Sequence, residues 1–224
     1  MTASNSPNPR AVAFIGSAGV PNRYGGFEAF LEHCTPRMAE QGAQVLVTCD
    51  ARLYPEGDTA FGKVRRVFLR VPANGAWSVL HDLLAFLAVL PRCRTVVVLG
   101  VSGGPWFPLM RLLCSLSGKR LVVNVDGVEW QRNKFGSFKR RVLKTFDALA
   151  QWSAHTVVYD NPALLPFVQP RHRHKAVCIA YSGDHVMRSN APRDGTYTAL
   201  TVCRIEPENN IDLLIEGALA SPLT

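Results

Sequence analysis

Short, fully apolar segments alternate with longer amphipathic segments through most of the chain, and this alternation constrains the fold more than any other feature. Ala11 to Ile15 is an apolar run, Phe27 to Gln41 carries apolar residues at helical spacing, and Gln44 to Cys49 is the next apolar run. A connection of that length and pattern is a helical crossover, which joins parallel strands. Strands that are apolar on both sides belong to a sheet covered by helices on both faces. The sequence therefore predicts an α/β fold with a Rossmann-like, doubly wound parallel sheet.

The same alternation continues to about residue 180. Further strands are predicted at 64–71, 95–101, 120–125, 155–159 and 176–180, and helices at 78–90, 105–117, 138–153 and 161–168. The predicted N-terminal domain spans 1–187, and a polar stretch with Pro and Gly at 188–196 is the predicted linker.

The last segment, 197–224, is predicted to open a second α/β domain. A largely apolar run at 197–203 is a predicted strand, and Ile211 to Leu219 is a predicted amphipathic helix. Asn209 or Asn210 is its expected N-cap, because a short amide side chain accepts hydrogen bonds from free helix N–H groups. We expect this second domain to be truncated at Thr224.

Charge and targeting signals narrow the function classes. The 224 residues carry a net charge of +8, which favours anionic partners such as nucleic acid, acidic lipid or a phosphorylated ligand. The cysteines and histidines show no metal-ligand spacing, and the polar residues 1–10 are not expected to form a secretory signal. The longest apolar stretch is far shorter than the ~20 residues that span a bilayer. A cytoplasmic location is expected, with contact at a membrane surface left open.

Glycine-rich or charged loops follow three of the predicted strands, at the sheet edge where α/β proteins bind ligands. The first, Gly16 to Gly26, contains Arg23 and runs directly into a helix. Glycines let backbone N–H groups approach an anion, a helix N-terminus favours negative charge, and an arginine adds a charge-assisted contact. The loop lacks P-loop and dinucleotide-fingerprint spacing, so anion binding and an ordinary glycine-rich turn are both open.

Two further loops carry weaker signals. The second, Gly100 to Pro105, contains Ser102 and Gly103 and precedes a helix that Pro105 could start; an ordinary turn is the stronger interpretation. The third, 126–134, brings two carboxylates, an aromatic ring and two cations together after a buried strand. Such a cluster is typical of a polar-ligand site, and a solvated loop is the alternative.

Cations dominate the segment that follows. Between Arg132 and Lys144 there are six cations and no acid, and on a helical projection Arg140 lies opposite an apolar stripe. A solvated face and attraction to anionic lipid head groups are the two interpretations of helix 138–153. Nucleic acid is not favoured, because the chain has no stacking-aromatic platform and no recognised binding motif.

Five motifs resemble those of one known family and occur in the family's order. They are Tyr24-Gly25-Gly26-Phe27-Glu28, Val101-Ser102-Gly103-Gly104-Pro105, Asp126-Gly127-Val128-Glu129-Trp130, Tyr181-Ser182-Gly183-Asp184-His185 and Arg204-Ile205-Glu206-Pro207-Glu208-Asn209-Asn210. Together they resemble the bacterial rhamnosyltransferase-type branch of glycosyltransferase family 4 over nearly the whole chain. The resemblance implies the N-terminal half of a GT-B type enzyme, which has two Rossmann-like domains with the active site between them. It also implies sugar transfer from a nucleotide diphosphate donor with retention of anomeric configuration, without a metal.

The resemblance implies a donor site that includes the first loop. Gly25 and Gly26, with Arg23, would bind the donor diphosphate. Arg204 would neutralise the same diphosphate as it leaves, and so counts among the catalytic residues. Where many members carry a Lys-Gly pair after that arginine, this chain has Asn209 and Asn210.

The resemblance also implies catalytic and acceptor-side roles for the third loop. Asp126 and Glu129 would act around the acceptor hydroxyl or the transferred sugar. The remaining contacts with the acceptor or the cleft would be Tyr24, Ser102, Gly103, Trp130, Asp184 and His185.

The leading interpretation is a retaining glycosyltransferase of polysaccharide biosynthesis, rhamnosyl or related hexosyl, that acts on a saccharide or lipid-linked acceptor. It needs no cofactor beyond the nucleotide diphosphate sugar, for which the resemblance alone suggests dTDP-rhamnose, and it would be peripheral at the inner face of the plasma membrane through helix 138–153. Because most of the donor domain is missing, we expect the chain by itself to be inactive. The alternative is a non-catalytic remnant that binds a membrane or a partner chain; a nucleic-acid binder rests on charge alone.

Overall fold

The computed structural model describes residues 10–23, 25–54, 58–125, 127–132, 135–181, 183, 200–203, 205 and 209–221. Contacts divide the chain into two compact units, Met1–Ser182 and Gly183–Thr224. The predicted linker at 188–196 lies outside the described residues.

A single sheet forms the centre of the first unit. Its described strands are β1 Ala11–Ile15, β2 Gln44–Asp50, β3 Ala60–Phe61, β4 Val64–Leu69, β5 Thr95–Leu99, β6 Arg120–Asn124, β7 Thr156–Tyr159 and β8 Ala176–Cys178. They lie in the order β3-β4-β2-β1-β5-β6-β7-β8, and every neighbouring pair is parallel except β3 with β4. The predicted parallel α/β sheet is confirmed, and the short antiparallel β3 is an element that the sequence pattern did not predict.

Helices cover both faces of this sheet. The first unit contains α1 Gly26–Glu40, α2 Ser78–Val89, α3 Phe107–Leu116 and α4 Ser137–Ser153, and the second contains α5 Ile211–Leu219. Successive strand residues point to opposite faces, so that Phe14 packs in the core that includes Leu31 of α1, while Ile15 packs in the core under α2, α3 and α4. Within the described residues, no helix is long and apolar enough to cross a bilayer.

The order of the strands reverses between β1 and β5, because the chain builds outward to β2 and β4 before it returns to β5. Loops that leave two such strands run in opposite directions and open a crevice, where ligands of open α/β sheets bind. Gly16 ends β1 with a φ of +88°, and a Cβ built there would lie 2.4 Å from the carbonyl oxygen of Leu99. Only glycine fits this close approach, and the approach fixes where the first loop starts.

Two predicted elements differ from the structure. The predicted helix at 161–168 is a 3-10 segment, Pro162–Phe167, because Pro166, inside the segment, lacks the N–H group that an α-helix would need there. Of the predicted strand at 197–203, residues 200–203 form no strand and are exposed, and the rest lies outside the described residues.

The predicted cap of α5 is also wrong in its mechanism. Asn210 occupies the N-cap position, but its backbone is left-handed, with φ of 47°, and its side chain makes no capping hydrogen bond. A capping side chain acts from an extended backbone, which places its oxygen over the first N–H groups. Asn210 therefore does not cap the helix through its side chain.

Replacing Gly16 by alanine tests the close approach at the end of β1. We expect Gly16→Ala to lower the free energy of unfolding by about 3 kcal/mol or more, because the cost of an alanine in a left-handed backbone adds to the cost of a clash with the Leu99 carbonyl. Gly62→Ala is the matched control, since Gly62 also has a positive φ, of +58°, but a Cβ there meets nothing within 4 Å. Its expected loss is about 1 kcal/mol. Equal losses in urea unfolding would contradict the steric account.

Candidate functional site

The first loop is held in place from two directions. The buried carboxylate of Glu28, in the first turn of α1, accepts a hydrogen bond from the Ala18 N–H at 2.6 Å. The carbonyl of Ala18 in turn accepts one from the Asp50 N–H at the end of β2, at 2.9 Å. Glu28 therefore anchors the loop from beneath, a role that the motif Tyr24–Glu28 did not reveal.

The loop ends at a helix start that no side chain of the described residues caps. Gly25 is the N-cap of α1 with an extended backbone, and Gly26 is the exposed first residue of the helix. A Cβ built on Gly26 meets nothing within 4 Å, so the space before the first turn is open. First-turn N–H groups lack partners within their own helix and attract anions. A Cβ on Gly25 would lie 3.5 Å from the Glu28 carboxylate, which therefore places negative charge close to the helix start.

Arg23 is directed back onto the protein. Its guanidinium donates to the carbonyl of Leu53 at 2.7 Å and lies 5.2 Å from the ring centroid of Tyr54. The Tyr54 hydroxyl donates to the carbonyl of Pro21 at 2.6 Å, so Tyr54 contacts two residues of the first loop, Arg23 and Pro21. Because a guanidinium has five N–H donors, the exposed Arg23 side chain braces the loop and still has donors to offer.

The second loop serves packing more than binding. The backbone N–H of Gly100 donates to the carbonyl of Asn124 at 2.9 Å, which joins the ends of β5 and β6. A Cβ on the buried Gly103 would lie 3.2 Å from the ring of Phe107. The hydroxyl of Ser102 points inward and donates to Asp82 at 2.5 Å. The interpretation as an ordinary turn is the one that this geometry favours for Gly103.

Asp82 is a buried carboxylate that sequence reasoning missed. It lies in α2 and is 1% exposed, and one of its oxygens, Oδ1, has no hydrogen-bond partner among the described residues. Burial raises the pKa of Asp82 to about 7, and the hydrogen bond from Ser102 offsets only part of that effect. The available signal was its place, with His81, as the polar pair inside an otherwise apolar helix.

Two more buried polar side chains accompany Asp82 near the first and second loops. Asp50 accepts hydrogen bonds from the backbone and guanidinium of Arg52 and from the Ala73 N–H. Burial alone would raise its pKa, but these donors lower the pKa of Asp50 to about 2. Burial lowers the pKa of His81, whose Nδ1 lies 2.7 Å from the Val71 carbonyl. Asp50 is thus charged and His81 neutral at pH 7.

The third loop forms one wall of a pocket. Trp130 packs edge-to-face on Phe167, with ring centroids 6.2 Å apart, and Lys144 lies 4.8 Å from the Trp130 ring. Asp147 lies at this pocket, where burial raises its pKa despite hydrogen bonds from Gln151 and Trp130. The pocket has a volume of about 260 Å³, open mouth included, and is lined by Val125, Gly127, Val128, Trp130, Asp147, Gln151, Leu164, Phe167 and Val168.

Glu129 forms an ion pair within its own loop. Its Oε1 lies 2.7 Å from the guanidinium of Arg132, and both side chains are about a third exposed. The pair keeps the Glu129 carboxylate at the surface, next to Trp130.

The structure places the described candidate residues on three loops at one edge of the sheet. Arg23, Gly25 and Gly26 lie on the first loop, Ser102 and Gly103 on the second, and Glu129 and Trp130 on the third. The other candidates lie outside the described residues: Tyr24, Asp126, Asp184, His185 and Arg204. The described part of the chain holds no group of three or more His, Cys, Asp or Glu side chains placed to bind a metal.

Residues 9–184 match a family described as a domain of unknown function, DUF1972, and the chain belongs to that family. No curated protein matches the chain. Among solved structures, it is similar to a crystal structure of Arabidopsis thaliana UGT89C1 complexed with UDP-L-rhamnose, with a TM-score of 0.41 and 12% identity over 78% of this chain. The match covers 49% of that protein, so this chain spans about half of its length. A likeness this distant assigns neither activity nor ligand to the chain.

The raised pKa of Asp82 predicts a pH-dependent stability. The folded protein holds the Asp82 proton up to a pH of about 7, whereas an unfolded chain releases it near pH 4. The resulting contribution is fully present below about pH 4 and is lost as pH rises to about 7. The wild type should therefore lose stability relative to Asp82→Asn over this range, as measured by denaturant unfolding at successive pH values.

The exposed carboxylate of Asp58 provides the control. Its oxygen lies 3.8 Å from Arg66 and its side chain is 82% exposed, so Asp58→Asn should change stability by less than about 1 kcal/mol. A constant difference between the wild type and Asp82→Asn from pH 4 to 7 would contradict the burial of a protonated carboxyl.

Proposed function

We propose that this chain is the N-terminal, acceptor-side half of a retaining glycosyltransferase, of the rhamnosyltransferase-type branch of family 4. The observation that carries the proposal is the uncapped start of α1 at Gly25–Gly26, beside the point where the strand order reverses. Motifs that resemble the family's fall on the three loops at this edge of the sheet. The donor would be a nucleotide diphosphate sugar, with dTDP-rhamnose as the first candidate.

The diphosphate would lie against the first turn of α1. As the bond between the sugar and the diphosphate breaks, negative charge develops on the leaving oxygen, and preorganised donors and cations stabilise that charge. The Glu28 carboxylate beside Gly25 opposes it, so a cation from elsewhere is needed. By the resemblance to the family, Arg204 would supply this charge, and Arg23 would keep the loop in shape through Leu53.

The acceptor would lie along the third loop. Trp130 and Phe167 offer aromatic surface at the pocket, and pockets of this kind combine apolar walls with a few polar groups that orient the ligand. Glu129, with Asp126, would orient the acceptor hydroxyl. The hydroxyl oxygen would form the new bond to the sugar on the face that the diphosphate leaves, and its proton would depart with the diphosphate.

A lipid-linked acceptor agrees with the charge of α4. Lys139, Arg140, Arg141 and Lys144 are all exposed on this helix. Each cation near an anionic membrane surface contributes about 1 kcal/mol of attraction. We therefore include in the proposal a peripheral position at the inner face of the plasma membrane.

A second candidate function is a non-catalytic module that binds a partner chain. The observation that favours it is the apolar surface of α5, where Leu213, Leu214 and Ile215 are each about half exposed or more. Exposed apolar surface of this kind is typical of association sites. Such a module would show no response to nucleotide diphosphates, which separates the two candidates.

A titration of the chain with dTDP or UDP, followed by amide NMR, tests the diphosphate site directly. We expect weak binding, with shifts centred on the amides of Gly25 to Glu28. Gly26→Asp should abolish these shifts, because it places a negative charge at the open helix start, while the fold tolerates a Cβ there.

Gly136→Asp is the matched control for that substitution. Gly136 is also exposed, is the N-cap of α4 and has open space around its Cβ position. The control should leave the nucleotide-dependent shifts unchanged. Shifts that persist in Gly26→Asp, or that never involve the first loop, would contradict the assignment.

Turnover tests the role of Arg204. In a form of the protein that transfers sugar, Arg204→Ala should reduce the turnover number by about 10²-fold or more, the usual cost of losing one group that stabilises developing charge. Arg94→Ala is the control, because Arg94 is exposed at the opposite, amino end of β5. An Arg204→Ala enzyme as active as the control would refute the role.

A further inference from the structure

Helices α2 and α3 carry rows of exposed apolar side chains on their outer sides. The rows repeat at intervals of three and four residues, which places each row on one side of its helix. Their members are 36% to 76% exposed. We call them together the apolar face: Trp77 just before α2, Leu80, Leu84 and Leu87 on α2, and Leu109, Leu112 and Leu116 on α3.

The two rows lie on the same side of the first unit. The inner sides of α2, α3 and α4 pack into one core on one face of the sheet, through Phe86, Met110 and Ala150. The ammonium of Lys119, just after α3, donates to the carbonyl of Leu90, just after α2. Arg111 of α3 donates to the carbonyl of Ser153 of α4 at 3.1 Å. The three helices therefore form one layer on one face of the sheet, and the cations of α4 lie in the N-terminal half of that helix.

Among its described residues, this helix layer has no acid that is fully exposed to solvent. The three helices contain only two acids, of which Asp82 is buried and Asp147 is bonded to Gln151 and Trp130 at the pocket. From residue 59 to residue 125, Asp82 is the single acid against nine cations. Among these cations, Arg92 and Arg120 are exposed close after α2 and α3.

The positive charge of the helix layer indicates which kind of partner the apolar face binds. An extended exposed apolar surface is typical of an interaction site. A second copy of this chain would bring like charges together across a symmetric contact, since the same surface meets itself. An anionic bilayer has negatively charged head groups that attract the cations, and an apolar interior in which the leucines are buried. Interfacial helices bind membranes in this way, with their apolar side chains below the head groups.

We propose that α2 and α3 dock on an anionic lipid surface by inserting the apolar face, while α4 and the neighbouring arginines contact the lipid head groups. This docking goes beyond the electrostatic attraction of the basic helix α4 to lipid head groups, because the leucines are buried in the apolar part of the bilayer. It does not depend on the chain's transferring a sugar, and the nucleotide titration at Gly26 tests that function separately.

Vesicle flotation of the 224-residue chain tests the docking. We expect binding to vesicles that contain phosphatidylglycerol and weak binding to pure phosphatidylcholine. Raising the salt from 0.1 M to 0.5 M should weaken the binding without abolishing it, because ions screen the charge contacts but not the burial of the leucines. The double variant Leu112→Gln/Leu116→Gln should bind at least tenfold more weakly than the wild type at either salt concentration.

A second double variant distinguishes insertion of the apolar face from a general effect of losing exposed apolar side chains. Val177 and Ile179 are about half exposed, and they alternate with Ala176, which packs against the core under the helix layer. They therefore point to the opposite face of the sheet. Val177→Gln/Ile179→Gln should bind vesicles like the wild type, and thermal unfolding should confirm that both variants fold.

Four results would overturn the proposal. The first is the absence of binding to anionic vesicles by a folded protein. The second is complete loss of binding at 0.5 M salt, and the third is unchanged binding of Leu112→Gln/Leu116→Gln; either would mean that charge attraction alone holds the protein on the vesicle. The fourth is a dimer in sedimentation velocity that the same variant dissociates, which would assign the apolar face to a second copy of the chain.

Discussion

The contact between the ends of β1 and β5 is the constraint on which the candidate site depends. Gly16 brings its backbone so near the Leu99 carbonyl that a side chain would clash. The first loop must leave β1 from this point, and its next fixed point is Ala18, which the Glu28 carboxylate binds. The loop therefore delivers the chain to Gly25 in a defined position, and α1 starts without a side-chain cap. An open helix start beside the strand reversal is what gives the first unit a site suited to an anion.

Two buried carboxylates support this edge of the sheet, one in its charged form and the other in its protonated form. Asp50 is surrounded by donors from Arg52 and Ala73, and these keep it ionised although it is buried. Asp82 receives one hydrogen bond, from Ser102, which is too little to compensate for desolvation, so its carboxyl holds a proton into the neutral range. The number of donors around each carboxylate, and not its burial alone, decides its charge. Both groups tie loops at the strand ends to the elements beneath them.

The sequence predicted the sheet well because burial on both faces leaves a pattern that a single chain displays. The apolar runs at β1, β2, β5 and β6 have the length and composition of strands that are buried on both faces, and α1 to α4 follow from helical spacing. The three loops were also found, because they must follow the strands. The directions of their side chains were not predictable. Arg23 turns to Leu53, thirty residues away, and Ser102 to Asp82, twenty residues away. Such partners are set by the tertiary fold, which spacing along the chain does not encode.

A crystal structure of the protein with bound dTDP or UDP tests the central claim most directly. The account predicts diphosphate density at the start of α1, with phosphate oxygens within hydrogen-bond distance of the backbone N–H groups that follow Gly25. Density for the diphosphate at another place on the first unit, with the space before Gly26 occupied only by solvent, would contradict it.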